Sequence, residues 1–406
     1  MGVYLDVNAT TPCEKSVIDA ITITAAENWA NPSSSNAFGK LAQDVINNSR
    51  NYIAEMIHGN PEDIIFTSGG TEANNTVVKG VVEYHRDWRA RSGTSSGRPH
   101  VITTNVEHDS VALPIRNLEK NELIDATFVP VGRDGCLKVE DLVEQIRPTT
   151  CLVSVMMANN ETGVIMPVET IGRRIFEVNN ERKSKDLIPI LFHSDAAQAV
   201  GKIPVDVQVL NVDYLTIVGH KFYGPRIGCL YARGLGARTP VYPLMHGGGQ
   251  EGGYRPGTEN TPMVAGLGEA ARLVRLRLGD HSRAMASARD YLEGRLTEVF
   301  GAGQVRFNCS SAGRLPNTCS VSFVSSALPG HQILAGCPEV TASVGAACHT
   351  QDKPSDILIA SGVSPSVARS TIRLSVGRTT SKGDVDTAVS ALKRAMDQLV
   401  TRPLGA

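Results

Sequence analysis

Tyr214-Leu215-Thr216-Ile217-Val218, followed at once by Gly219-His220-Lys221, decides how this chain reads. The five-residue run is apolar or β-branched, carries no charge and does not alternate, which describes a strand covered on both faces of a sheet. The same texture recurs at residues 63–67, His100–Thr104, 126–131, 151–157 and 188–193. Helical patterns such as residues 168–179 lie between these runs, with breaker-rich or charged loops at 91–99 and 181–186. Short buried strands alternating with helices predict βαβ units, hence an α/β chain with a mostly parallel, doubly wound sheet.

Past Thr258 the texture changes. A long stretch of helix formers covers residues 263–300, strands are expected at 318–324 and 342–344, and an amphipathic helix closes the chain at 385–399. The expected organisation is a large domain over residues 12–260. A smaller α+β C-terminal domain is expected over residues 1–11 and 261–406.

The chain of 406 residues is long enough for two or three structural units. Its 40 basic and 41 acidic residues give a net charge of −1, which argues against a nucleic-acid partner. With 41% hydrophobic and 20% charged residues it reads as an ordinary globular chain rather than a disordered or fibrous one. No run approaches the ~18 apolar residues of a membrane span, and Asp6 stands where a myristoylation signal wants Ser or Thr. None of the eight cysteines forms a C-x-x-C pair, so metal and disulfide readings are weak, and unpaired thiols in apolar runs suit a reducing, cytoplasmic setting.

Four constellations carry chemistry, and each has a plain structural alternative. Ser68-Gly69-Gly70-Thr71-Glu72 joins a strand to a helix, where glycines admit a ligand and backbone N–H groups and the Thr71 hydroxyl suit a phosphate; it could equally be a turn. Asp195, in His193-Ser194-Asp195-Ala196-Ala197-Gln198, sits where open α/β sheets place ligand groups, although Asp before Ala-Ala-Gln is also a good helix cap. Lys221 can be an amine nucleophile at the mouth of the sheet or a solvated loop lysine. His108, in Glu107-His108-Asp109, can be a catalytic imidazole or a loop residue. Together an anion cradle, a carboxylate, an amine and a flat ring at equivalent strand ends are what pyridoxal 5′-phosphate requires.

With those residues in view, the chain resembles the fold-type I pyridoxal-phosphate-dependent transferase family that holds the cysteine desulfurases and selenocysteine lyases. The motifs are Phe66-Thr67-Ser68-Gly69-Gly70-Thr71-Glu72, Asn159-Asn160-Glu161-Thr162-Gly163, Gly219-His220-Lys221, His246-Gly247-Gly248-Gly249 and Arg255-Pro256-Gly257-Thr258-Glu259-Asn260. Glu107-His108-Asp109-Ser110 and residues 217–226 and 342–349 are nearer the selenocysteine-acting branch, and Met245 to Gly249 nearer the desulfurases. Desulfurases commonly have Ser where this chain has Val218.

The resemblance implies that Lys221 bonds to the cofactor aldehyde and later moves the substrate Cα proton. It implies that Asp195 holds the pyridine nitrogen protonated, His108 stacks on the ring and Gln198 bonds its phenolic oxygen. Gly70, Thr71 and His220 would line the phosphate, with Thr258 reaching it from a second subunit of a homodimer. Asn31, Asn160 and Arg373 would meet the substrate carboxylate, Arg373 through its guanidinium fork. Cys348, on an expected strand-exit loop, matches the family's catalytic cysteine, and His349 beside it reads as a solvated loop residue. Asp109 would disfavour a developing thiolate and so bear on substrate choice, or would merely cap the helix that follows. The implied activity is conversion of L-selenocysteine to L-alanine with selenium passed to a reductant or acceptor protein; the alternative is a cysteine desulfurase.

Overall fold

The computed structural model describes residues 2–93, 97–324, 326, 328–345 and 353–401. The strands are β1 (Val3–Tyr4), β2 (Ile64–Thr67), β3 (His100–Thr104), β4 (Asp125–Val129), β5 (Thr150–Ser154), β6 (Leu191–Asp195), β7 (Tyr214–Val218), β8 (Gly228–Ala232), β9 (Val305–Phe307), β10 (Thr318–Phe323), β11 (Val340–Thr341) and β12 (Thr371–Ser375). Seven of them form one sheet in the order β2-β8-β7-β6-β5-β3-β4. Only β8 runs against its neighbours, so the other six end at the same edge.

Successive residues of the central strands enter opposite cores, as burial on both faces demands. Ile102, Val153, Phe192 and Leu215 pack into one cluster, while Val101, Leu152, Leu191 and Tyr214 pack into another on the far face. A third core surrounds the antiparallel sheet β12-β10-β9 and takes in Leu5, Val321, Leu374 and Leu392. The 40-residue helix Thr261–Phe300 spans both regions: Leu267 and Val274 pack into the large core, Leu292 and Leu296 into the small one.

Several sequence expectations shift for identifiable reasons. The strand expected at 188–193 forms at Leu191–Asp195, because Pro189 has no N–H to give a sheet ladder. The strand expected at 126–131 stops at Val129, before Pro130. Residues 342–344 are not a strand; the pairing lies just upstream, at Val340–Thr341 against Val3–Tyr4, and only Ser343 bridges to Arg373. Asp195 caps no helix, since residues 197–202 form turns.

Helix Ala37–Ile57 packs closely on helix Thr261–Phe300 at Gly268, where an added Cβ would stand 2.6 Å from the Ser49 Cβ and 2.7 Å from its Cα. Gly294, in the same helix, faces open space. Gly268→Ala should therefore lower stability by about 1–3 kcal/mol despite its better helix propensity. Gly294→Ala should raise it by about 0.5–1 kcal/mol. Thermal melts of both variants check this, and a stabilised Gly268→Ala would contradict the packing.

Candidate active site

At the common carboxyl edge lies a cleft of about 360 Å³. It is bordered by Gly70, Thr71, His108, Asp109, Asn160, Asp195, Gln198, His220, Lys221 and Arg373. Each arrives by a short path from a buried strand: Gly70 and Thr71 start helix Gly70–Ser92 after β2, Asp195 ends β6, and Lys221 ends the short 3-10 turn Gly219–Lys221 after β7. Ten of the expected site residues thus share one wall system. Asn31 does not join them; it is exposed, and its side chain instead accepts from the Ser33 N–H at 2.9 Å. Thr258 is also exposed and off the cleft of this subunit. Cys348 and His349 fall outside the described residues.

The Lys221 amine donates to the carbonyls of Asn8 and Ala9 at 2.7 and 2.8 Å. Gln198 Nε2 donates to the same Asn8 carbonyl at 3.0 Å. Asp195 is 6% exposed, and its two carboxylate oxygens accept from Ala197 N and Asn74 Nδ2 at 2.9 and 2.8 Å. Asn74 also donates to Ser110 Oγ and accepts from Thr216 Oγ1, and Ser110 Oγ lies 2.8 Å from His108 Nδ1. The exposed ring and the buried carboxylate are therefore joined by one chain of hydrogen bonds, which rigidifies a site only when every member is paired.

His108 itself caps helix Asp109–Lys120, its Nδ1 accepting from Ser110 N at 3.1 Å. Asp109 is the first helical residue, so the cap read at Asp109 belongs to its neighbour. Arg373 is nearly buried: one terminal nitrogen donates to the Asn160 carbonyl at 2.9 Å and the other to Asp6 at 2.8 Å. Its Nε, and the Asn160 side-chain oxygen, are buried without a protein partner.

Burial dominates the electrostatics. It pushes the Glu107 carboxyl up to about 8, helped by Asp195 and opposed by hydrogen bonds from Thr104 and the Met156 N–H, so this acid beside His108 holds its proton near neutrality. His220 is pulled down to about 4 by burial and by Lys221, Arg226 and Lys202. Sequence reading missed Asn8, Asn74, Ser110 and the role of Glu107. Asn74 did leave a trace, as one of two adjacent Asn residues early in a helix where Asn is a poor former.

The profile of the class-V aminotransferases matches residues 3–388. The chain belongs to the class-V aminotransferase family. Among its relatives, a selenocysteine lyase of Rattus norvegicus is 51% identical over 98% of this chain and 95% of its own length. A mitochondrial cysteine desulfurase of Arabidopsis thaliana is 38% identical over 98% of this chain and 83% of its own. A solved NifS-like protein superposes with a TM-score of 0.85 at 32% identity, covering 99% of this chain and all of that one. Like its family, this chain depends on pyridoxal 5′-phosphate. The cleft suits that group: it offers a buried carboxylate, an amine, an imidazole face, a glycine-opened helix start and two unpartnered polar atoms.

His193, behind the cleft, is fully buried between Ser154 and Thr216, at 2.8 and 3.1 Å, and burial pulls it from 6.5 down to about 4. A histidine kept neutral in the fold stabilises fully above pH 6.5; below that the unfolded chain takes a proton the fold refuses, and stability falls towards pH 4. The loss from this one group is up to about 3 kcal/mol. Denaturant midpoints of wild type should drop more steeply between pH 6.5 and 4 than those of His193→Gln, and parallel profiles would refute a neutral buried His193.

Proposed function

We propose that this protein is a selenocysteine lyase, converting L-selenocysteine to L-alanine and releasing selenium to a reductant or an acceptor protein. The observation that carries the reading is the 51% identity to selenocysteine lyases over nearly the whole chain, against 38% to cysteine desulfurases, together with a cleft of matching chemistry. When bound, pyridoxal phosphate supplies an aldehyde for the substrate amine and an electron sink for charge left on Cα.

In this reading Lys221 holds the cofactor and then moves the Cα proton, its amine already fixed by two carbonyls at the cleft floor. Asp195 keeps the pyridine nitrogen protonated, His108 covers the ring face and Gln198 donates to the phenolic oxygen. Gly70, Thr71 and His220 take the phosphate. Asn160 and Arg373 take the substrate carboxylate, the Arg373 terminal nitrogens exchanging a bond to the Asn160 carbonyl or Asp6 for one to substrate. Asp109, half-buried at the cleft, favours a substrate whose selenol is already ionised, because its carboxylate opposes a developing thiolate. Cys348 guides and protonates the departing selenium, a role assigned from its place in the sequence.

The working form is a homodimer in which the partner subunit brings Thr258 to the phosphate. Thr258 is exposed here, and so are Trp29 and Phe38, whose rings stack 6.3 Å apart at 70% and 61% exposure. The setting proposed is cytoplasmic, a reading supported by the free thiols of the seven described cysteines.

Alanine release by the cofactor-loaded protein from selenocysteine and from cysteine tests the reading. Selenocysteine should be turned over at least tenfold faster, Lys221→Ala should be inactive, and Cys348→Ala should keep the visible cofactor band while losing most alanine formation. Equal rates on the two substrates would favour the desulfurase; normal turnover by Lys221→Ala would remove that lysine from its role.

A further inference from the structure

Lys202 is an ionisable side chain that none of the chemistry above uses. It is 2% exposed, and no other lysine among the described residues is buried. It lies behind the cleft wall, where its Nζ donates to Gln198 Oε1 at 2.7 Å. Gly201 makes that placement possible. Its φ is +76°, and a Cβ there would stand 2.5 Å from the Phe222 Cβ, so the turn that carries Lys202 inward tolerates only glycine.

A lysine donates and never accepts, whereas a backbone carbonyl only accepts. Gln198 sits between one of each: Lys202 faces its Oε1, and the Asn8 carbonyl faces its Nε2 at 3.0 Å. The orientation of this amide is thereby fixed by its partners, and the N–H edge is the one left for the cleft that Gln198 borders. Without Lys202 the buried Oε1 would have no donor, and the amide could regain one only by leaving its place.

We propose that Lys202 is a positioning residue that locks the Gln198 carboxamide with its N–H edge toward the cleft, presenting a donor to an oxyanion of the bound cofactor. The proposal rests on the cofactor reading given above. Burial, and the nearby charges of Lys221 and Arg373, pull the Lys202 amine well below the ordinary lysine range.

The test compares wild type, Lys202→Met, Gln198→Met and the double variant, each loaded with pyridoxal 5′-phosphate. Two quantities are read: the cofactor dissociation constant and the pH midpoint of its visible absorption band. An N–H donor favours the anionic form of the oxygen it meets. Lys202→Met should therefore weaken the cofactor about tenfold and move the midpoint up by about one pH unit. Because Lys202 acts through Gln198, the double variant should match Gln198→Met alone. An unchanged midpoint in Lys202→Met, or an effect that adds in full to that of Gln198→Met, would overturn the proposal. If Lys202→Met does not fold, Lys202→Gln retains a donor and should keep the wild-type midpoint; a midpoint shifted as far as in Gln198→Met would overturn it equally. A wild-type protein that acquires no visible band with the cofactor would instead refute the cofactor reading, and this proposal with it.

Discussion

One backbone carbonyl, that of Asn8, ties the molecule together. It accepts from Lys221 at 2.7 Å and from Gln198 at 3.0 Å, so the amine and amide of the cleft are set by a single point on the N-terminal segment. Asn8 is 1% exposed and is held from all sides: its N–H donates to Ser375 of β12, its Nδ2 to Thr318 of β10, and its Oδ1 accepts from Asn317. Leu5, three residues before, is buried in the core of the small sheet. Lys221 therefore stands where it does because residues more than 300 positions from Asn8 pair correctly.

Groups that are costly to bury gather here: Asp195, Glu107 and Arg373 line the cleft, and Lys202 and His193 lie behind it. The structure meets that cost in two ways. Asp195 and Arg373 are paired, through two N–H donors and through Asp6 respectively. Glu107 holds its proton, and His193 stays neutral. Two atoms stay without a protein partner, the Asn160 side-chain oxygen and the Arg373 Nε, both on residues that line the cleft.

The sheet was legible because burial on both faces removes polar residues from a strand, and Tyr214 to Val218 shows that in its letters alone. Its strand ends were also legible, since Asp195, Lys221 and His108 each follow such a run within a few residues. What escaped reading depends on packing between distant segments. Asn8 looks like a loop residue in Asp6-Val7-Asn8-Ala9, and nothing nearby reveals that it meets Gln198, Lys221 and Thr318. Lys202 likewise reads as a surface lysine until Gly201 turns it inward. The cap at Asp195 failed because the Asp-Ala-Ala-Gln signal is local, while Gly201 at positive φ turns the chain before a helix can propagate.

Two lysines, Lys221 in the cleft and Lys202 behind its wall, have different work. Borohydride reduction of the cofactor-loaded protein, followed by peptide mapping, fixes the cofactor to whichever amine holds it. Label is expected on Lys221 alone, with Lys202 unmodified. Label on Lys202, or on a lysine outside the cleft, would contradict it.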